Sequence, residues 1–186
     1  MNHTAPVTPM ATAPGALPSP SSPGLLARWW HPLCAQLGRL PHTLVAALAR
    51  FSLAATFWLS GQTKIEGLAI NLVEGRFQLG WPRLSASAVD LFRDEYRLPI
   101  LPPESAALLA ASAEHALPLL LLLGLGTRFA ALGLLGMTIV IQLLVYPGAY
   151  ATHGIWAAAL LLLIAHGPGA WSVDHVTGWD RVQPAR

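Results

Sequence analysis

Ala113-Glu114-His115-Ala116-Leu117-Pro118, running on through Leu119 to Leu123 and closed by Gly124-Leu125-Gly126-Thr127-Arg128, places an acid, an imidazole and a proline inside a stretch otherwise apolar enough to cross a bilayer. Lipid cannot hydrate a carboxylate at that depth, so Glu114 needs a partner and marks a functional site. Pro118 has no N–H to give to the carbonyl four residues back, which is that of Glu114, so the kink is aimed at the acid. A carboxylate and a freed carbonyl at one level predict a polar spot that takes a cation, water or a ligand.

The composition around this stretch agrees with a membrane setting. Of the 186 residues, 54% are hydrophobic and only 11% charged, against roughly a quarter charged in a soluble domain, and the mean hydropathy is +0.51. A formal charge of +2 on scattered basic residues lacks the massed positive footprint of a nucleic-acid binder. Cys34 is the single cysteine, so this chain holds no internal disulfide, CxxC pair or thiolate-held cluster, and any redox chemistry needs a bound cofactor or a partner. Ten arginines against one lysine, Lys64, with heavy use of Ala and Leu, match the coding bias of a GC-rich bacterial genome.

Outward from the opening stretch, the chain divides into segments. Residues 1–24, rich in Pro, Ser and Ala, cannot bury enough apolar surface to offset ordering entropy and predict a disordered tail. Residues 25–40, with Arg28, Trp29 and Trp30, suit a membrane interface, as a short helix or an ordered linker. Residues 41–175 form a four-span membrane domain, with spans at about 41–64, 105–123, 128–146 and 153–166, each compared with the ~20 residues needed to cross. Residues 176–186 are a polar tail. Between the first two spans the alternation Phe77-Gln78-Leu79-Gly80-Trp81-Pro82 predicts a short extended piece, and Ser85 to Arg97 an amphipathic helix lying across the mouth of the bundle. The predicted fold is all-α, an integral membrane four-helix bundle with a long amphipathic connection between spans one and two.

Helical spacing decides which side chains can meet. Arg50, Phe57, Gly61 and Lys64 fall on one stripe of the first span, Lys64 being close enough to its end to snorkel to the interface. Thr138, Gln142 and Tyr146 form a polar stripe on the third span, where Gly133 and Gly136 allow close approach of another helix. Counting depth from the span ends at about 1.5 Å per residue puts Arg50 within reach of Glu114, predicting a buried pair. Lys64, Gln142, Tyr146, His153 and Trp156 share a depth nearer the other mouth and are expected to line one pocket, suited to an anion, a quinone head group or a polar metabolite. The alternative is that its aromatic residues are plain interfacial anchors. Catalytic candidates are Glu114, Lys64 and His153; substrate-binding candidates are Arg50, Lys64, Glu114, Gln142, Tyr146, His153 and Trp156. No ligand spacing predicts a metal. His115, rotated about 100° from Glu114, is read as a helix–helix hydrogen bonder. The His153 loop carries no Lys or Arg while Arg28, Arg39 and Arg128 flank spans on the opposite side, so both termini are expected to be cytoplasmic.

Arg50 with Gly61-x-x-Lys64, Glu114 ahead of its leucine run and Gly124 to Arg128, then Tyr146-Pro147, His153-x-x-Trp156 and Gly167-Pro168-Gly169, resemble in order and spacing the DoxX family of small four-helix bacterial membrane proteins. The likeness covers about residues 45–175. It implies a multi-pass protein of the bacterial inner membrane and, from the thiosulfate:quinone oxidoreductase to which the family name is tied, a membrane subunit of a quinone- or thiol-linked redox system; the cofactor stays open, with quinone as the candidate. Two other classes stay open: a non-enzymatic carrier or accessory protein for a small solute or metal, and a membrane anchor for a partner enzyme. Whether the chain is itself an enzyme is left open. The expected partners are the lipid bilayer and a second protein or further copies of the chain, with no nucleic acid.

Overall fold

A computed structural model describes residues 25–71 and 74–179. The stretch read as a disordered tail, 1–24, lies outside the described residues, as do residues 180–186 of the polar tail. The described residues up to Arg39, from Leu25, belong to a unit of their own. Within it, helix α1 (Leu25–Leu37) carries Pro32 and has Trp29, Trp30, Leu33 and Leu37, all exposed, along one side.

The second unit, which begins at Leu40 and is described to Trp179, holds the bundle. Pro41 caps the start of α2 (His42–Gln62), and Pro103 occupies the first turn of α4 (Pro103–Leu123), where a missing N–H costs nothing. Gly124 and Gly126, both left-handed at φ +67° and +56°, make the tight reversal into α5 (Thr127–Val140). A π-helical turn, Ile141–Val145, lengthens α5. Pro147–Ala149 then winds as a 3₁₀ turn into α6 (Tyr150–His166), so the fourth apolar segment begins near Pro147, ahead of the expected residue 153. Prolines are tolerated in a first helical turn, so Pro147 opens this segment instead of separating it from the last.

The four helical segments His42–Gln62, Pro103–Leu123, Thr127–Val145 and Pro147–His166 are long and apolar enough to cross a membrane. They pack as a ring in the order α2, α4, α5, α6, with α6 closing on α2. Ala46, Leu53, Ala54 and Phe57 of α2 meet Leu121, Leu134, Leu160 and Leu163 in the core. Small residues set the approach: a Cβ on Gly133 would lie 2.9 Å from Leu117, so this glycine brings α4 and α5 together, whereas Gly136 faces open space and has no such role. Leu108, Leu109, Leu119, Leu132 and Leu161 point outward and are exposed, which is the surface a bilayer covers.

The connection between α2 and α4 begins as an antiparallel hairpin, β1 (Ile65–Asn71) and β2 (Arg76–Leu84). The alternation at 77–82 belongs to β2. Its partner strand is missed by pattern alone, because Gly67 and Ala69 interrupt the period of two. Gly67 and Gly80 face each other at a bulge so tight that a Cβ on Gly80 would stand 2.5 Å from the Gly67 carbonyl oxygen. Ser85 then caps α3 (Ala86–Leu91), accepting from the Ala88 N–H at 3.1 Å, and a π turn, Phe92–Tyr96, completes the amphipathic segment. Phe92 is buried against Ala106 and Ala107 of α4, while Asp90 and Arg93 stay outside. Tyr96 reaches the end of the third span, edge-on to Tyr146 with ring centroids 5.7 Å apart. Burial holds the Tyr96 phenol above its usual range, a hydrogen bond with Tyr146 pulling the other way.

At the opposite end, the segment after α6 folds back over the bundle. Helix α7 (Val173–Thr177) starts at Ser172 and delivers Asp174, whose buried carboxylate accepts the N–H groups of Gly126 (2.7 Å) and Thr127 (2.9 Å) at the start of α5. His42 Nε2 donates to the Gly167 carbonyl at 3.2 Å, and Thr43 Oγ1 accepts from Ala170 N at 3.1 Å.

Candidate functional site

Glu114 pairs with Lys64, not with Arg50. The Lys64 ammonium stands 2.7 Å from Glu114 Oε2, and both side chains are about 95% shielded from solvent, at 5% and 4% exposure. Lys64 Nζ also donates to the Ser60 carbonyl at 3.2 Å and to Ser60 Oγ at 3.1 Å, and Ser60 Oγ donates to Glu114 Oε1 at 3.2 Å. The ammonium thus has two hydrogen-bond acceptors on Ser60 and an ion pair to Glu114 Oε2, which takes no hydrogen bond of its own, in a closed ring of Lys64, Glu114 and Ser60. The Ser60 carbonyl belongs to the last turn of α2, where a cation also offsets the negative end of the helix dipole. Lys64 therefore curls inward, in place of the expected snorkel to the interface.

The levels of the helices explain the difference. A Cβ on Gly61 would lie 3.0 Å from Glu114 Cβ and 2.8 Å from the His115 ring, so Gly61 and Glu114 are at one height. A Cβ on Gly124 would lie 2.3 Å from Arg50 Nη1, so Arg50 stands level with the end of α4. Counting from span ends assumed that α2 and α4 start and stop together; in fact α2 extends beyond the end of α4, and Arg50 sits about three turns, ~16 Å, from the acid. Its guanidinium donates instead to the carbonyls of Pro168 (3.3 Å) and Trp171 (2.6 Å).

His115 forms a second layer behind the pair. Gln62 Oε1 accepts from the backbone N–H of Ile70 at 2.7 Å, which leaves the Gln62 amide nitrogen to donate to His115 Nε2 at 2.9 Å. His115 Nδ1 then carries the proton and donates to the Ala111 carbonyl at 2.6 Å. Trp58 stands edge-on to the imidazole at 5.0 Å and donates from Nε1 to the Ile70 carbonyl at 2.9 Å. Trp58 and Gln62, one turn apart on α2, thus grip both backbone groups of Ile70 and fix β1 to the helix. Ser60, Gln62 and Trp58 are site residues that charge-centred reading overlooks. The i, i+4 pairs Ser60–Lys64 and Trp58–Gln62 near a helix end were the available signal.

The remaining candidates separate. His153, buried at 6% exposure, donates from Nδ1 to Gln142 Oε1 at 2.7 Å, and the Gln142 amide donates to the Pro147 carbonyl at 2.7 Å. Trp156 packs between His153 (5.1 Å) and Phe57 (5.3 Å). Tyr146 gives its hydroxyl to Glu95 on the connection. Gln142, His153 and Trp156 make one cluster, Lys64 and Glu114 another, and Tyr146 faces a third set of partners.

Cavities flank the bundle among the described residues, and three of them bear on the site. One of about 360 Å³ lies between the hairpin, α2 and α4, lined by Trp58, Leu68, Arg83, Leu108, Ser112, His115 and Leu119 among others. A basin of about 820 Å³ lies on the other side of the hairpin against Gln62 and Thr63, and a groove of about 380 Å³ runs between α2 and α6 past Trp156. Lys64, Glu114 and His153 line none of these three. His115 connects the two arrangements, with one edge on the first groove and the other over Gly61 beside Glu114.

No curated protein and no solved structure matches the chain. The DoxX family model matches residues 45–147, more than half of the chain, from the turn of α2 before Arg50 through Lys64 and Glu114 to Tyr146-Pro147. With four helices fit to cross a bilayer and this match, the chain is a multi-pass membrane protein of the DoxX family.

Proposed function

We propose that the chain is the membrane subunit of a quinone-linked redox system and that the quinone enters the groove between the hairpin and α4. The observation that carries this reading is the lining of that groove. Leu68, Leu108 and Leu119 offer an apolar wall for an isoprenoid tail, Trp58 an aromatic face for the ring, and Arg83 and Ser112 donors for its carbonyl oxygens. Leu108 and Leu119 belong to the exposed, lipid-covered side of α4, so a lipid-soluble substrate reaches the groove without crossing water. A quinone takes up two electrons and two protons on becoming a quinol, and the oxidation of two donor thiols to a disulfide releases both; with a single cysteine in this chain, those thiols belong to a partner or a thiol substrate. The chain's own residues bind and orient: His115 braces the ring wall, and the Lys64–Glu114 ring behind it keeps α2 and α4 in register.

The test uses the purified chain in lipid nanodiscs, titrated with a decyl-tailed benzoquinone. Tryptophan quenching should saturate, the saturable part should largely vanish in Trp58→Phe, and Arg83→Ala should weaken binding by about tenfold, the effect of losing one charge-assisted hydrogen bond of ~1.4 kcal/mol. Non-saturable quenching, or saturation unaffected by both substitutions, refutes the site.

The anchor reading draws on a different observation: the Lys64 ammonium and the Glu114 carboxylate are buried against each other at 2.7 Å, with Ser60 bonded to both, as expected of charges that serve helix registry. For orientation, we propose an inner-membrane protein with both termini cytoplasmic. Cys34, exposed and the only cysteine, lies on the N-terminal side of the first span. A membrane-impermeant maleimide should label it in inverted vesicles and leave it unlabelled in intact spheroplasts; the reverse pattern inverts the topology.

A further inference from the structure

We infer that the β-hairpin is a membrane-interface element, with one face bedded in the lipid headgroup and upper acyl region beside the groove. Cross-strand partners share a face, so the register Leu68↔Leu79 and Ile70↔Phe77 collects four large apolar side chains on one side, and Ala69↔Gln78 and Asn71↔Arg76 put three polar side chains and one small alanine on the other. The apolar side is uncovered by protein at its outer strand: Phe77 is 65% exposed and Leu79 84%, and Trp81 in the adjoining bulge is 83% exposed. Such a face on a two-stranded sheet requires a covering.

Its surroundings specify lipid as that covering. The hairpin starts three residues beyond the last helical residue of the first span, and the Trp58 and Gln62 bonds to Ile70 pin it at the final turn of α2, the level where a span leaves the hydrocarbon. Leu68, on the apolar face, shares its groove with Leu108 and Leu119, so this face continues the lipid-covered belt of α4. The polar face turns to the basin lined by Gln62, Thr63, Glu74 and Arg76, which water can fill. Depth is limited from both directions. Strand β2 has no strand on its outer side among the described residues, and its free N–H and C=O groups need water or headgroups, so the hairpin cannot sink into the hydrocarbon. Arg76 and Arg83, on the same strand as the aromatic residues, suit phosphate at the same level. The hairpin would then hold the groove open to the membrane side, whatever molecule occupies it.

Site-directed spin labelling tests the placement. In a Cys34→Ser background, labels at Leu79→Cys and Phe77→Cys are compared with one at Gln78→Cys in vesicles of phosphatidylcholine and phosphatidylglycerol. The first two should collide several-fold more with oxygen, which partitions into lipid, than with a water-soluble nickel chelate, and the label at 78 should show the reverse. Collisions with nickel at all three positions mean an aqueous hairpin, and shielding of 77 and 79 from both reagents means a protein cover such as a second copy; either overturns the inference. None of these readouts depends on quinone binding, so the two proposals fail separately.

Discussion

Lys64→Met is expected to destabilise the bundle by about 3–5 kcal/mol, because it leaves the Glu114 carboxylate buried with only the Ser60 hydroxyl as a donor. Glu114→Leu should cost less. Lys64 lies beyond the end of α2, and once unpaired its ammonium can swing to the interface on its flexible stem, whereas Glu114 is held mid-helix on a short side chain. The double variant Lys64→Met/Glu114→Leu should recover most of the loss, since two apolar groups can replace a buried pair at little or no net cost. Denaturant unfolding in nanodiscs, read as a double-mutant cycle, supplies all three numbers. Single losses below about 1 kcal/mol would mean that the pair is solvated and its burial carries no stability. A double variant that is stable and still binds quinone assigns the pair to registry. One that is stable but no longer binds places it in the function.

This outcome depends on a pairing that the sequence half reveals. Helical spacing puts Arg50, Phe57, Gly61 and Lys64 on one stripe, and all four are buried. The need of Glu114 for a cation was equally legible, because an acid in an apolar span has few ways to persist. Which cation was not legible, because that depends on the axial offset of α2 against α4, set by Gly61 seating on His115 and Gly124 on Arg50. Offsets of this kind come from packing of small residues and leave no periodic trace. The outer cluster divides for a related reason: the π turn Ile141–Val145 shifts the phase of the helix after Thr138, so Gln142 meets His153 while Tyr146 turns to Glu95. Strand β1 escapes notice because Gly67 and Ala69 break its alternation, and its anchoring by Trp58 and Gln62 is tertiary.

Asp174→Ala should cost a further ~3–5 kcal/mol at the other end of the molecule, from two lost hydrogen bonds to a charged acceptor at roughly 1.5–3 kcal/mol each, less what water recovers. The first N–H groups of α5 have no partner within their own helix, and Gly126 carries no side chain to cap them. Asp174 supplies that cap from across the chain, with its charge at the positive end of the α5 dipole. Asp174→Asn keeps the shape but turns an NH₂ toward one of the two N–H donors, so it should lose much of the same stability despite being isosteric. Arg50→Met should also destabilise, since it frees the Pro168 and Trp171 carbonyls that the guanidinium ties down. Both residues hold the same segment, Gly167 to Trp179, over the α4–α5 reversal, so the double variant should fall short of the sum by 0.5 kcal/mol or more, in the range of about 0.5–3 kcal/mol for coupled sites. Hydrogen exchange localises the effect: the amides of Gly126, Thr127 and Asp174 should lose protection first in each variant. Those near Lys64, about three turns of helix away, should keep theirs until the bundle unfolds. Strict additivity with protection lost evenly along the chain would mean that Arg50 and Asp174 stabilise the bundle independently and that the C-terminal segment is not a cooperative clasp.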